Sequence, residues 1–306
     1  RKLIMVVKDK IFYNKASASK LGWEPSWFGA KEFDEKLVTN IRKFQKEHGL
    51  SADGLCGPTT YRRIYTHRVA TMEEHSPLGH KDNSESFIIY NSEYFPINWP
   101  KVKLFFEGGG LKLRKGFKRS KYKRDPKFFV CHWDVCLSSE SCYKVLAKRG
   151  ISVHFAIDND GTIYQFMDMN DIAWHAGGKT WNDRSLGVEI SNAYYTKYQS
   201  WYEKRDFGPR PVVTDAHVHG KKLREHLGFY PVQLQAAQAL WKAISEIHDI
   251  PLEYPKDKNG NLDTGVNKEC VDGDFRGFCN HYNLTARKID CAGMQLDKLL
   301  NEVKNG

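Results

Sequence analysis

Beginning at residue 127, short apolar runs, each too brief for a helix core, are followed by one long amphipathic stretch. This order restricts the fold more than any other feature of the chain. Phe128-Phe129-Val130-Cys131-His132-Trp133 is an apolar run of the kind that forms a buried strand. Ser152 to Phe166 reads as a hairpin turning at Asn159-Asp160-Gly161, and Ser185-Leu186-Gly187-Val188-Glu189-Ile190 as a further strand. After Pro231, residues Leu234, Ala237, Trp241, Ile244 and His248 fall along one helical stripe. Strands ahead of a long amphipathic helix predict an α/β domain over 126–306, with a mixed central sheet covered by helices.

Upstream the period changes. Leu37, Ile41 and Phe44 share a helical face, Gly49 is placed to cap that helix, and Asp53-Gly54-Leu55-Cys56-Gly57-Pro58-Thr59-Thr60 is a turn with a new helix start leading through Tyr61 and Ile64. A small all-α domain is therefore expected over 1–70. Residues 70–110 carry Pro77, Pro96, Pro100 and Gly108-Gly109-Gly110 without a long period, so 71–125 is read as a linker and basic segment with some short strands.

A chain of 306 residues with 41% hydrophobic and 13% aromatic content can build two cores. Its apolar stretches are far shorter than the roughly 20 residues that span a bilayer, which points to a soluble protein. The chain begins Arg1-Lys2-Leu3-Ile4 and shows no apolar signal-peptide core, so export is not legible from it. The 7 cysteines form no CxxC pair. Reduced thiols are expected, and any metal must be held mainly by histidine and carboxylate.

The net charge of +10 is uneven. Lys112, Arg114, Lys115, Lys118, Arg119, Lys121, Lys123 and Arg124 follow one another with no acid between them. Such a run suits an anionic envelope polymer or anionic lipid, the plainer reading being a solvated loop. Nucleic acid is disfavoured, because no helix-turn-helix or RNP-type pattern accompanies the run.

The sequence FQKEHGL followed by ADGLCGPTT resembles the peptidoglycan-binding domain found at one end of many wall hydrolases, over about 35 residues. Four ordered segments of the larger domain resemble a zinc amidase family. That family includes phage amidase-type lysozymes, bacterial anhydromuramyl-peptide amidases and animal peptidoglycan recognition proteins. The segments are Phe129–His132; Val153–Ile157 with Asp160–Gln165; Ala173–Gly177 with Ser185–Ile190; and His281 with Lys288-Ile289-Asp290.

The resemblance implies a zinc ion held by His132, His281 and Asp290, with a fourth position open for water or substrate. Cys291 stands where the family usually has proline, and its thiolate is an alternative ligand. Glu189 matches the catalytic acid of the bacterial enzymes, and a glutamate in an apolar strand must face a site or find a partner. Lys288 is expected to place positive charge by the oxyanion, and Trp174 and His175 to contact substrate. A phage-type subset of the family has a catalytic tyrosine where this chain has Val153. His154 is expected to pack beside the sheet, and His217 and His219 to lie on an exposed strand or loop.

The implied activity is N-acetylmuramoyl-L-alanine amidase, cutting the bond between N-acetylmuramic acid and the stem peptide of bacterial peptidoglycan. The implied setting is a phage endolysin, acting from the host cytoplasm onto the wall and periplasm. Alternatives are a bacterial autolysin or wall-recycling enzyme, and a recognition protein that binds without cutting. In the modular reading, the N-terminal domain only concentrates the enzyme on polymer, and its removal should spare activity on small muropeptides.

Overall fold

The structure, a computed structural model, describes residues 7–71, 82–83 and 85–306. Helices α1 (Val7–Leu21), α2 (Glu35–Glu47) and α3 (Pro58–Thr71) form the N-terminal unit. Asp34 caps α2 by accepting the Leu37 N–H at 2.8 Å, so Phe33 precedes the helix. The polar residues of the motif have a structural reason. Buried Gln45 accepts the Gly54 N–H at 2.9 Å and donates to Asp53 Oδ1, the Leu55 carbonyl and Thr60 Oγ1 at 2.8, 3.1 and 3.1 Å. Asn14 of α1 closes the same turn, accepting the Cys56 N–H at 2.9 Å and donating to the Gly54 carbonyl at 3.0 Å. Gly54 has φ +79°, and a Cβ there would lie 2.8 Å from Val38 Cγ1, so both backbone and space require glycine.

The larger unit is built on strands β1 (Val102–Leu104), β2 (Phe128–Trp133), β3 (Phe155–Ile157), β4 (Ile163–Gln165), β5 (Ser185–Ile190) and β6 (Gly277–Asn280). They form one sheet in the order β6-β2-β5-β3-β4-β1, parallel throughout except for the expected β3–β4 hairpin. Alternation along the strands divides the faces. Phe129, Cys131 and Trp133 of β2 and Leu186, Val188 and Ile190 of β5 join Leu240, Trp241 and Ile244 of helix α5 (Pro231–His248) in the main core, against which the C-terminal helix (Leu296–Asn305) also packs. On the opposite face stand Phe128, Val130 and His132, beside Ser185, Gly187 and Glu189. This is the mixed sheet under helices that the sequence predicts.

The segment expected to be a linker is structured where it is described. β1 pairs with β4 at the sheet edge, and Phe87–Tyr90 forms a hairpin with Glu93–Pro96; residues 72–81 lie outside the described residues. Arg124, read as the last of the basic run, is buried. It donates to the carbonyls of Met169, Asn182, Asp183 and Ser185 at 3.1, 3.3, 3.2 and 2.9 Å, and to that of Asp171. These oxygens replace the water that a surface arginine would keep. The other seven basic residues of the run remain exposed.

The N-terminal unit shares a core with the larger one. Leu37, Ile41, Phe44, Tyr61 and Ile64 belong to the same apolar cluster as Cys142, Val145 and Leu146 of helix α4 (Ser139–Arg149) and Val153, Ala156 and Phe166 beneath it. A unit attached only by a tether would close its own core. Removing residues 1–71 strips the cover from α4, so the shortened chain should melt at lower temperature and bind a hydrophobic dye. Calorimetry checks this, and an unchanged melting temperature would show that the two units are independent.

Candidate metal centre

The C-terminal ends of β2 and β6 lie side by side, and a histidine stands near the end of one and immediately after the other. His132 is the fifth residue of β2; β6 ends at Asn280 and runs directly into a single 3₁₀ turn, His281–Asn283. Asn283 fixes that turn by accepting the Asn280 N–H at 3.0 Å, and the Tyr282 N–H donates to the Asp290 carbonyl at 3.1 Å, which draws Asp290 in. His132 Nδ1, His281 Nδ1 and Asp290 Oδ2 thereby form a triangle with sides of 2.9, 3.1 and 3.0 Å. All three residues are buried.

The donor set fits a zinc ion. Tetrahedral bonds of about 2.0–2.1 Å separate ligand atoms by about 3.3 Å, so the triangle need open only by tenths of an ångström. Burial, and then the neighbouring charge of His281, pushes the His132 imidazole below its ordinary value and favours the neutral form that a metal binds. Burial opposes the charge of Asp290, but His281, His132 and Lys288 together hold its carboxyl well below the usual carboxylate range. Cys291, the alternative third ligand, points elsewhere. Its thiol packs in the main core, and burial raises it well above its ordinary value.

His175, expected to contact substrate, packs its ring between His132 and Ser185. Its Nδ1 lies 2.9 Å from His132 Nε2, and its Nε2 lies 3.2 Å from Ser185 Oγ. If His132 Nδ1 faces a metal, its proton sits on Nε2, and the whole chain is then determined. His132 Nε2–H donates to His175 Nδ1, His175 Nε2–H donates to Ser185 Oγ, and Ser185 O–H donates to the Trp181 carbonyl at 2.6 Å. Burial, followed by the charges of His132 and His154, keeps His175 well below its ordinary value and hence neutral. Gly187 makes the room: a Cβ there would lie 2.6 Å from His175 Nδ1. Sequence reasoning missed Ser185 and Gly187 in this role. The available signal was the two-residue strand period, which puts both on the face of Glu189.

Glu189 is the in-register neighbour of His132 and is buried on the same face. Its Oε1 lies 3.5 Å from Arg62 Nη1, and its Oε2 has no hydrogen-bond partner among the described residues. Lys288 is exposed two residues before Asp290. Trp174 is also exposed, and the strand Phe117–Lys118 of the basic segment pairs with Ile172–Ala173 immediately before it. His154 is fully buried between the Asp171 carbonyl and the Gly187 N–H, as expected of a packing residue. His217 lies exposed on a two-residue strand with Val218, and His219 binds the Lys288 carbonyl through Nε2 at 2.8 Å.

Residues 122–290 match the family profile described as N-acetylmuramoyl-L-alanine amidase, and residues 20–64 match that of a putative peptidoglycan binding domain. Among solved structures, the chain is similar to the N-acetylmuramoyl-L-alanine amidase LysC from Clostridium intestinale URNW, with 15% identity and TM-score 0.40 over 67% of this chain and 99% of that one. AmpDh3 from Pseudomonas aeruginosa, in complex with anhydromuramic pentapeptide, matches with 19% identity and TM-score 0.38 over 61% and 63%. Drosophila peptidoglycan recognition protein SA matches with 17% identity and TM-score 0.32 over 68% and 92%. No curated protein matches the chain.

Groups that orient a metal ligand typically contribute about 10- to 100-fold to metal affinity. His175→Ala should weaken zinc binding by that factor while leaving the fold intact, and Gly187→Ala, which displaces the same ring, should act in the same direction. Competition against a zinc-chelating dye measures both. Wild-type affinity in His175→Ala would show that the chain of hydrogen bonds orients nothing.

Proposed function

We propose, from the premise that this chain belongs to the N-acetylmuramoyl-L-alanine amidase family, that it is a zinc-dependent hydrolase. The bond cut joins N-acetylmuramic acid to the L-alanine that begins the stem peptide. The chain combines a peptidoglycan-binding domain with a peptidoglycan amidase domain; the metal, the bond and the residue roles are proposed beyond that. The observation that most supports the reading is the meeting of His132 Nδ1, His281 Nδ1 and Asp290 Oδ2 within 3.1 Å of one another.

A zinc ion held by these atoms would polarise the scissile carbonyl and make a water acidic enough to attack near neutral pH. Glu189 carries the proton. Its Oε2, without a hydrogen-bond partner among the described residues, takes a proton from the attacking water and returns it to the leaving nitrogen. Lys288, exposed at the rim, supplies positive charge where the carbonyl oxygen becomes negative. Trp174, exposed beside the site, offers a flat apolar surface to the substrate. His175 orients His132. The setting we propose is a phage endolysin, with a bacterial autolysin as the alternative. A polymer-binding unit on the same chain favours action on intact wall over recycling of soluble fragments. The exposed lysines and arginines of 112–123 are placed to meet an anionic envelope polymer or lipid.

Metal analysis and mass spectrometry of digested peptidoglycan test the reading together. His132→Ala, His281→Ala and Asp290→Ala should each lose zinc and hydrolysis, whereas Cys291→Ala should keep zinc; the reverse for the last pair would make Cys291 the ligand. Glu189→Gln keeps size and metal, so its kcat should fall about 10²- to 10⁴-fold with KM little changed. Retention of more than about a third of kcat in Glu189→Gln would assign the proton to another group.

A further inference from the structure

Arg62 belongs to α3, within the segment matched as a peptidoglycan-binding domain, yet its side chain leaves that unit. It is 9% exposed, donates from Nη1 to the Asp134 carbonyl at 3.0 Å and lies 3.5 Å from Glu189 Oε1. Asp134 comes two residues after His132. Around it α3 is fastened at further points. Thr66 Oγ1 donates to the Val135 carbonyl at 2.7 Å, and Arg63 Nε donates to Tyr195 Oη at 3.2 Å, which in turn donates to the His48 carbonyl at 2.7 Å.

A buried guanidinium is costly unless a negative partner is fixed beside it. Burial works against the Arg62 charge, and the Glu189 carboxylate more than restores it. Arg149 at the end of α4 is pushed down to about 9 by burial, followed by repulsion from Arg62, with Glu189 working in the opposite direction. The contact engages one carboxylate oxygen only. Oε1 faces Arg62 while Oε2 has no hydrogen-bond partner among the described residues, an arrangement that sets the carboxylate's direction and leaves one oxygen for the reaction.

We infer that Arg62 is a positioning residue for the amidase: the peptidoglycan-binding unit supplies, from α3, the cation that aims Glu189, so the catalytic centre is complete only with that unit docked. The inference rests on Glu189 as the proton carrier. It departs from the tether reading, in which the N-terminal unit does nothing for a small substrate.

The test uses the full chain on a small soluble muropeptide, which needs no wall binding, with zinc content and melting temperature recorded for every variant. Arg62→Met keeps the apolar stem and removes the charge. Its kcat should fall about 10- to 100-fold, the usual range for groups that orient a reacting residue, with KM and zinc unchanged. Arg62→Lys should recover part of that loss. Thr66→Val removes a fastening of α3 away from Glu189 and should lower the melting temperature without lowering kcat. In a Glu189→Gln background Arg62→Met should have no further effect, because the two residues act as one unit. If Arg62→Met does not fold, Arg62→Gln, which keeps a donor for the Asp134 carbonyl, carries the same expectation. Wild-type kcat in the uncharged variant, or a higher one as for a brake on Glu189, overturns the inference while Glu189→Gln stays inactive. An active Glu189→Gln instead overturns the reading of Glu189, a distinguishable failure.

Discussion

The parallel pairing of β2 between β6 and β5 is the constraint on which the rest of the molecule depends. Parallel strands end at the same edge of a sheet, and there the chain places His132, the turn carrying His281, and Glu189. The register matters as much as the direction. His132 opposite Glu189 puts both on one face, and a slip by one residue would send either into the core packed by α5. Asp290 is brought to the same point by the Tyr282 to Asp290 backbone hydrogen bond, which closes the loop leaving β6.

Around this edge the sheet provides orientation as well as position. Ser185, Gly187 and Glu189 alternate along β5 on the His132 side, and each has a separate task. Ser185 ends the hydrogen-bond chain that runs from His132 through His175, Gly187 leaves space for that ring, and Glu189 stands directly opposite His132. A loop could not hold these spacings, because its backbone lacks the ladder that fixes one strand against the next.

The second feature of the molecule is the absence of a clean division between binding and catalysis. The helices of the N-terminal unit and α4 close one apolar cluster, and a charged side chain from α3 reaches Glu189 on β5, the proposed proton carrier. Apolar burial of this kind fixes the two units in one relative placement, which a flexible tether cannot do.

Much of this was legible beforehand. The apolar runs, the turn at Asn159-Asp160-Gly161 and the stripe along α5 fix local structure, because strand and helix periods depend on neighbours in sequence. The family resemblance pointed to His132, His281, Asp290 and Glu189, residues whose types suit what a metal and a proton transfer need. Other features were not legible. Arg124 read as one more cation of a basic run until the fold surrounded it with carbonyl oxygens, and nothing local to His175 announced its contacts with His132 and Ser185. Arg62 carried no local signal, since its partner Glu189 lies 127 positions away in the sequence. Sequence by itself determined the main elements of this protein, because they follow from residue type and short spacing, and it carried the resemblance that named the candidate donor residues. Only the tertiary structure decided which buried charge meets which partner, because a charge removed from water is stabilised by whatever the packed fold brings within a few ångströms, however distant in the chain.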